Sequence, residues 1–325
     1  MLCQGPEIAG DLPGKSLRTR YNQVVTSKQS ALTEWLWIAR YHIVIVAMTA
    51  ALVFGWLMSG RYLWGLSVVV GLDWFLINML NRITDVAEDT HNQVPGTARV
   101  AAQKRGLLGL SLGLLVGSFV TTHVIWPQLT VWRVVVQLIG LAYNYKVVPT
   151  PSGLSRLKEM YFFKNFGSSV LFVLTCFVYP LETAGHARLS GPAIATLAVF
   201  FVLFETTYEI LYDFRDLEGD TLLAVPTYPV VHGPRRAEQI LIGLLGAAVL
   251  TLGLGVATGT LGVRELLMGA APLGQLVFYR PRLRRGLTSA DCLWLTHLGS
   301  AQLVLFLVGT AIWQAAGLPE NIYLR

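Results

Sequence analysis

The chain has 325 residues, of which 54% are hydrophobic and only 14% are charged, and its mean hydropathy is +0.54. These values exclude one or two ordinary soluble domains and are typical of a protein that crosses a membrane several times. The formal net charge of +6 lies mainly in basic connections between apolar runs, so we expect contacts with anionic headgroups or substrates and no nucleic-acid partner.

The apolar runs predict an all-α, polytopic membrane protein with about nine transmembrane helices. We expect residues 1–34 to form a polar N-terminal arm, since no apolar core follows Met1 as it would in a signal peptide. Residues 35–325 are then predicted to form a single transmembrane domain. The predicted spans are 37–58, 61–81, 106–126, 130–146, 165–181, 191–212, 238–258, 263–279 and 291–316.

The distribution of basic residues predicts the orientation. With nine spans, 20 of the 25 Lys and Arg residues fall in the N-terminal arm and the even-numbered connections, and 5 fall on the other side. Because short cytoplasmic loops are enriched in Lys and Arg, we expect the N-terminus in the cytoplasm and the C-terminus outside. The expected location is a membrane of the bacterial inner-membrane type.

Two polar residues of the first spans have two interpretations each. Arg40, at the start of the first span, is either a headgroup anchor or a substrate contact. Asp73, midway along the second span, either lines a cavity or makes an internal polar contact to a neighbouring helix.

The second span ends in a cluster of polar side chains. Asn81, Asp85 and Asp89 are spaced four residues apart, which on one continuing helix would place all three on one face. Two carboxylates and an amide oxygen are hard ligands of the kind that Mg²⁺ takes, commonly together with substrate phosphates. A plain solvated helix end is the alternative.

Basic residues follow in the next two connections on the same side. Arg99 is either a ligand of an anionic substrate or an ordinary residue of a basic loop. The connection after the fourth predicted span carries Tyr143, Lys146, Lys158 and Lys164. At least one of these lysines is expected to contact a substrate that is anionic, and the sequence does not decide which.

An acidic stripe begins in the sixth predicted span and continues beyond its end, and it is defined as Glu205, Glu209, Asp213, Asp216 and Asp220. Their spacing of four, four, three and four residues places all five on one face of a helix. The first two lie near or inside hydrocarbon, where acids are costly and usually functional. Such a stripe needs cations, and two acidic helix ends that face each other could hold a metal-bridged diphosphate.

The segment after the acidic stripe reads TLLAVPTYPVVHG, and Pro226, Pro229 and Gly233 break the helix there. We expect a shaped loop at this point. Thr227 is a candidate substrate contact, and His232 is expected to be a hydrogen-bonding loop residue rather than a catalytic base.

The two acidic motifs together resemble the signatures of the UbiA superfamily of intramembrane prenyltransferases. The resemblance rests on Asn81-x-x-x-Asp85-x-x-x-Asp89, on Asp213-x-x-Asp216-x-x-x-Asp220, and on the string Thr-Tyr-Pro-Val that follows. It covers nearly the whole chain, from the first span to the last apolar run. It implies nine helices around a central cavity that opens to the cytoplasm.

The resemblance also implies a set of site residues. Two Mg²⁺ ions, for which Mn²⁺ may substitute, are expected to be held on a prenyl diphosphate. The implied metal ligands are Asn81, Asp85, Asp89, Asp213, Asp216 and Asp220. The implied catalytic residues are Asp85, Asp89, Asp216, Asp220, Lys146, Lys158 and Lys164. The implied substrate-binding residues are Asn81, Asp213, Tyr143, Tyr212, Arg99 and Thr227.

The chain departs from the family pattern at two places. The family's Tyr-x-x-x-Lys spacing is one residue shorter here, so either Lys146 or the pair Lys158 and Lys164 takes that role. The family's Pro-x-Arg-Pro-like string is replaced by Gln93-Val-Pro95-Gly96, so the acceptor specificity of the family is not carried over.

The function implied is transfer of a prenyl group from a prenyl diphosphate to an aromatic or lipid-like acceptor held among membrane lipids. Candidate aromatic walls for the allylic cation are Tyr143, Tyr208, Tyr212 and Phe162. One alternative is a membrane terpene cyclase of the same superfamily. The other is a cation- or proton-coupled carrier that uses Asp73, Glu205 and Glu209. The sequence leaves the acceptor, the prenyl length and the oligomeric state open.

Overall fold

The computed structural model describes residues 31–151 and 153–324, which fold mainly into helices. These helices are α1 (Ala31–Ile38), α2 (Tyr41–Ser59), α3 (Trp64–Thr84), α4 (Val86–His91), α5 (Thr97–Ile125), α6 (Leu129–Asn144), α7 (Tyr161–Val173), α8 (Tyr179–Ala184), α9 (Gly191–Leu222), α10 (Tyr228–His232), α11 (Pro234–Ala257), α12 (Ala270–Arg284) and α13 (Ser289–Ala315). A π-helical turn, Leu174–Val178, joins α7 to α8, so Tyr161–Ala184 is one continuous segment.

The remaining regular elements are short. Two 3₁₀ helices span Leu157–Glu159 and Val263–Gly269. The strands β1 (Val148–Thr150) and β2 (Gly153–Ser155) form an antiparallel hairpin in which Val148 lies opposite Ser155. The hairpin occupies the connection between α6 and α7, and it sets how the lysines of that connection return to the bundle.

Seven helical segments within the described ranges are long and apolar enough to cross a membrane: α2, α3, α5, the α7–α8 segment, α9, α11 and α13. Two shorter helices, α6 and α12, occupy the other two predicted spans. With 16 residues, α6 is about 24 Å long, which is less than the hydrocarbon core of about 30 Å. The prediction of an all-α polytopic membrane protein is confirmed.

Several predicted boundaries were wrong. The span predicted at 263–279 begins as the 3₁₀ helix Val263–Gly269 and continues in α12 to Arg284. The span predicted at 106–126 begins at Thr97, so Arg99 lies in a helix instead of a loop. Residues 1–30 of the predicted N-terminal arm lie outside the described residues, and α1 starts at Ala31.

The core packs around α2, which has buried small residues, Ala47, Ala50 and Ala51, on its inner face. Small residues let neighbouring membrane helices approach closely, and α2 packs against both α3 and α13. By contrast, only 6% of the most apolar stretch of α5 is buried against the rest of the protein. The outer face of α5 therefore suits contact with lipid.

A buried ion pair joins α3 to α6. Arg133 Nε donates to Asp73 Oδ2 over 3.0 Å, and neither side chain is exposed. Tyr179 and Gln137 also donate to the same carboxylate, at 3.1 and 2.9 Å. Of the two interpretations of Asp73, the internal contact to neighbouring helices is confirmed.

Candidate active site

The acidic stripe lies on α9, which runs without a break through all five carboxylates. All five line one cavity of about 430 Å³ in the centre of the bundle. Residues three or four apart lie on one helix face. The prediction that the five carboxylates share a face is confirmed, because all five line the same cavity. The end of the bundle at which α3 and α9 finish is called the acidic end below.

The spacing of the first motif predicted one continuous helix through Asn81, Asp85 and Asp89, and this prediction is wrong. The backbone of Asp85 leaves the helical conformation, with φ −101° and ψ 24°, so that α3 ends at Thr84 and α4 begins at Val86. The amide of Asp85 still donates to Asn81 O over 2.9 Å, and the amide of Asp89 to Asp85 O over 2.8 Å. The four-residue spacing is therefore compatible with a bend as well as with a helix.

This bend separates Asp89 from the other two side chains of the first motif. Asn81 lines the cavity and donates both to Asp85 and to Asn144, the latter over 3.1 Å. Asp89 turns towards Arg82, a fully buried residue that donates to it. The carboxylates of Asp85 and Asp89 therefore have different partners.

Cations from the connection between α6 and α7 reach the first motif. Lys158 Nζ lies 2.7 Å from Asp85 Oδ2 and 2.7 Å from Glu88 Oε2. Arg156 Nη1 lies 3.2 Å from the other oxygen of Asp85. Lys158 is buried and lines the cavity, so its charge is available to a molecule bound at the acidic end.

Two further cations meet the acidic stripe. Lys164 Nζ, on α7, donates to Asp213 Oδ1 over 2.8 Å. Arg215 Nε donates to Asp216 Oδ1 over 2.7 Å. The sequence required cations beside this stripe, and these two side chains supply them.

The donor set at the acidic end suits a hard cation. In the described parts of the chain, no three His, Cys, Asp or Glu side chains are gathered as a metal-binding group. The motif aspartates that have a partner contact Lys, Arg or Asn side chains. Asp213 Oδ2, however, is buried and has no hydrogen-bond partner. Carboxylate and amide oxygens are the ligands that Mg²⁺ prefers, so the residues present fit the predicted metal.

Some of the other predicted site residues line the cavity and some do not. Tyr143 and Tyr212 line the cavity, and the Tyr212 hydroxyl lies 2.9 Å from Thr296 Oγ1. Thr227 is fully buried beside this end, and its hydroxyl has no partner. Among the aromatic candidates, Tyr208 lines the cavity and Phe162 is 57% exposed.

Two predicted basic residues lie away from the cavity lining. The side chain of Lys146 is 65% exposed and lies 3.9 Å from Glu159. Arg99 lies 2.6 Å from Glu34 and also stacks on Trp35. Their predicted roles toward a substrate have no contact to support them, and Lys158 and Lys164 are the better placed lysines.

Sequence reasoning missed several residues of the acidic end. These residues are Arg82 and Arg156, which contact the motif aspartates, and Glu88, which shares Lys158 with Asp85. Only Arg82 could have been found from the sequence, because it directly follows Asn81 of the motif. Arg40 lines the cavity, bonds Asn78 at 3.4 Å and lies 4.0 Å from Asp89. Its interpretation as a substrate contact stays a prediction.

The inner part of the cavity is apolar and aromatic. Its lining includes Phe54, Trp74, Phe172, Phe200, Phe201 and Phe204. The rings of Trp74 and Phe172 stack with centroids 4.1 Å apart, and those of Phe172 and Phe201 meet edge to face at 5.6 Å. Aromatic faces carry partial negative charge, so this interior suits both an isoprenoid chain and a carbocation.

Two titratable residues outside the membrane-crossing segments have shifted pKa values. Burial, helped by the charges of Tyr161 and Asp213, raises the pKa of Tyr228 to about 12, so that this phenol stays neutral. For Glu159, burial opposes ionisation, but hydrogen bonds and charge from Arg156 outweigh it and lower the pKa. His232 lies 2.7 Å from the Tyr161 hydroxyl, in keeping with its expected role as a hydrogen-bonding loop residue.

The helical bundle and its cavity, charged at one end and aromatic inside, define a polytopic membrane protein that can enclose an amphiphilic anion. The chain belongs to the UbiA prenyltransferase family, whose model matches residues 41–298. It is similar to the digeranylgeranylglyceryl phosphate synthase of Haloquadratum walsbyi, with 27% identity over 177 residues, 53% of this chain. It is also similar to the bacteriochlorophyll synthase 33 kDa chain of Rhodobacter capsulatus, with 28% identity over 62% of this chain.

These matches span 56% and 62% of the lengths of the two relatives. Among solved structures, the fold is similar to that of a UbiA homolog from Archaeoglobus fulgidus bound to GPP and Mg²⁺, with a TM-score of 0.61. That match has 15% sequence identity and covers 86% of this chain and 99% of the homolog. At this identity the likeness concerns the fold.

Proposed function

We propose that the protein transfers a prenyl group from a prenyl diphosphate to an acceptor dissolved in the membrane. The observation that carries the proposal is that one continuous cavity joins the acidic stripe, Lys158 and Lys164 to an aromatic interior. A prenyl diphosphate has the same two parts, a polyanionic head and an apolar tail. Membership of the UbiA prenyltransferase family supports the same activity, as do the names of the two relatives.

The metal assignment is part of this proposal. Two Mg²⁺ ions, which Mn²⁺ could replace, would be held by residues of both motifs: Asn81, Asp85, Asp89, Asp213, Asp216 and Asp220. The unpartnered Asp213 Oδ2 and the Mg²⁺ bound to the Archaeoglobus fulgidus homolog support this. When bound, the metal would neutralise the diphosphate and make it a better leaving group.

Lys158 and Lys164 are proposed to bind the diphosphate oxygens. Each is a buried or nearly buried cation beside the cavity and already contacts a motif aspartate. Donors fixed beside the leaving group stabilise the charge that develops on it as the carbon–oxygen bond breaks. A diphosphate that binds Lys158 would also compete with Asp85 for that lysine, while Arg156 and Asn81 keep their contacts with the carboxylate.

The aromatic interior is proposed to protect the reacting carbon. The rings of Phe172, Phe201 and Phe204 exclude water from the cavity wall, and Tyr143 and Tyr212 stand closer to the acidic end. An allylic cation formed there would be stabilised by the ring faces until an electron-rich atom of the acceptor attacks it. The diphosphate keeps both electrons of the carbon–oxygen bond when the cation forms, and the acceptor loses a proton after its attack.

The acceptor is proposed to be aromatic or lipid-like and to enter from the bilayer, and the acidic end is proposed to face the cytoplasm. The test is product analysis. Purified protein in lipid nanodiscs receives geranyl, farnesyl or geranylgeranyl diphosphate, with and without a membrane lipid extract, and the products are identified by mass spectrometry. Prenylated lipid-extract components formed together with diphosphate support transfer. A cyclic hydrocarbon or alcohol without any acceptor would favour cyclisation, and no diphosphate release with any donor would contradict both.

A further inference from the structure

The cavity has a polar level far from the diphosphate end. Glu205 lies eight residues before Asp213 on α9, which corresponds to about 12 Å along the helix axis. Its carboxylate accepts hydrogen bonds from Ser168 Oγ, over 3.0 Å, and from Ser169 Oγ, both on α7. A carboxylate at this depth is too far from the acidic end to bind the same diphosphate. An isoprenoid tail is a hydrocarbon and cannot form a hydrogen bond with it.

The register between α9 and α13 identifies the residues at this level. Tyr212 bonds Thr296, and one turn deeper the Tyr208 hydroxyl packs on Gly299, where an added Cβ would lie only 2.6 Å from it. The helices are antiparallel, so one further step of three residues on each brings Glu205 and Gln302 to the same depth. We call Glu205, Tyr208 and Gln302 the deep polar subsite.

The deep polar subsite has unused hydrogen-bonding capacity. The hydroxyl oxygen of Tyr208 and the Oε1 atom of Gln302 are both buried without a partner, although both residues line the cavity together with Glu205. The Nε2 atom of Gln302 is engaged by backbone carbonyls of α12 at 3.3 and 3.4 Å, which holds the amide in place. Buried polar groups without partners are rare and costly in native structures, so a ligand that satisfies them is favoured here.

We propose that the deep polar subsite binds a hydroxyl group carried on an otherwise apolar substrate skeleton. Tyr208 needs an acceptor, whereas Glu205 and Gln302 offer acceptor oxygens. A hydroxyl group donates one hydrogen bond and accepts others, so it satisfies both needs, while an ammonium only donates and a phosphate brings charge beside a carboxylate. This inference rests on the proposed function, because it assumes that an isoprenoid substrate enters the cavity.

The hydroxyl group has two possible sources, the acceptor or the distal end of the prenyl donor. One arm of the experiment compares farnesol with farnesene, which carry and lack a hydroxyl group, in the presence of Mg²⁺ and pyrophosphate. The other arm compares ω-hydroxyfarnesyl diphosphate with farnesyl diphosphate. In both arms the full chain in lipid nanodiscs is used, and dissociation constants are measured by quenching of tryptophan fluorescence, since Trp74 lines the cavity.

The native protein is expected to bind the hydroxylated member of at least one pair about tenfold more tightly. Tyr208→Phe, which removes only the hydroxyl group, and Glu205→Leu, which removes both acceptor oxygens, are expected to abolish most of that preference. Tyr179→Phe is the matched control, because Tyr179 is also a buried tyrosine but its hydroxyl donates to Asp73. The control is expected to keep the preference.

Loss of the preference in the farnesol arm assigns the subsite to the acceptor, and loss in the diphosphate arm assigns it to the donor. The proposal is overturned if the native protein shows no preference in either arm, or if the preference survives in both variants. Failure of the proposed function is a separate result, namely no diphosphate release from geranyl, farnesyl or geranylgeranyl diphosphate, because the binding measurements do not require turnover.

Discussion

Lys164 donates a hydrogen bond to Asp213 Oδ1 over 2.8 Å, while the other oxygen of the same carboxylate is buried without a partner. One half of Asp213 is therefore held by α7, and the other half is free to bind a ligand. The contact with Lys164 thus fixes one oxygen of Asp213 and leaves the other oxygen available to a metal ion or a substrate.

Replacement of Lys164 tests whether this lysine binds the leaving group. In Lys164→Met, diphosphate release is expected to fall by about 10²- to 10³-fold, because a donor aimed at developing charge is lost. Lys146→Met is expected to stay close to the native rate, since the Lys146 side chain is 65% exposed and lies 3.9 Å from Glu159. The measurement is diphosphate release per folded molecule, and a larger loss in Lys146→Met than in Lys164→Met would contradict the assignment.

Removal of divalent metal tests the oxygen-rich donor set. Chelation with EDTA is expected to abolish diphosphate release, and Mg²⁺ or Mn²⁺ added in excess is expected to restore it, because an unneutralised diphosphate leaves poorly. The same titration followed by thermal unfolding should show stabilisation that needs both the metal and a prenyl diphosphate. Full turnover in the chelator would exclude the metal-assisted mechanism.

Asp85→Asn and Asp216→Asn separate catalysis from folding at the two motifs. Each variant keeps the shape of the side chain and most of its hydrogen bonds. Lys158 keeps Glu88 as a partner in the first variant, so we expect both proteins to fold and turnover to fall by orders of magnitude. A purely structural helix cap would instead cost about 0.5–2 kcal/mol of stability and leave turnover in place. Near-native turnover in both variants would therefore contradict the two-motif site.

The acidic stripe could be predicted from sequence because the spacing of its carboxylates matches the period of an α-helix. A carboxylate at every third or fourth position is readable as one helix face, and α9 is an unbroken helix there. The first motif has a similar spacing, yet the backbone of Asp85 is not helical and the chain bends there. The periodicity does not encode that bend, so the sequence could not show that Asp89 turns towards Arg82.

The choice among the three lysines also depended on information that is not local. The hairpin of β1 and β2 carries the chain away from the bundle after Lys146 and brings it back at Leu157–Glu159. Lys146 is therefore left exposed, whereas Lys158 and Lys164 return to the cavity. The register between α9 and α13, which defines the deep polar subsite, likewise depends on contacts between residues more than eighty positions apart, such as Tyr212 and Thr296.

Cysteine labelling tests the predicted orientation. Lys104 and Arg284 are exposed and lie on the predicted cytoplasmic side, whereas His186 is exposed on the opposite side. In a background without Cys3, Lys104→Cys and Arg284→Cys are expected to react only with a reagent on the cytoplasmic side, and His186→Cys only from outside. Because the native Cys176 and Cys292 are buried, they serve as internal blanks. Labelling of Lys104→Cys from outside would reverse the orientation inferred from the positive-inside rule.

The buried pair of Asp73 and Arg133 tests whether intramembrane charge in this protein is structural or part of a cation pathway. Both side chains are fully buried, so Asp73→Asn leaves an uncompensated buried charge and is expected to destabilise the protein by about 3–5 kcal/mol. The double variant Asp73→Leu/Arg133→Met should recover most of that loss, since replacing both charges with apolar groups is often neutral.

Unfolding in mixed micelles gives the stability, and diphosphate release per folded molecule gives the function. Turnover of the folded fraction is expected to stay native in both variants, because the pair contacts α3, α5, α6 and the α7–α8 segment and not the acidic end. Proton or cation flux in liposomes that disappears in Asp73→Asn, at unchanged stability, would instead support the carrier interpretation.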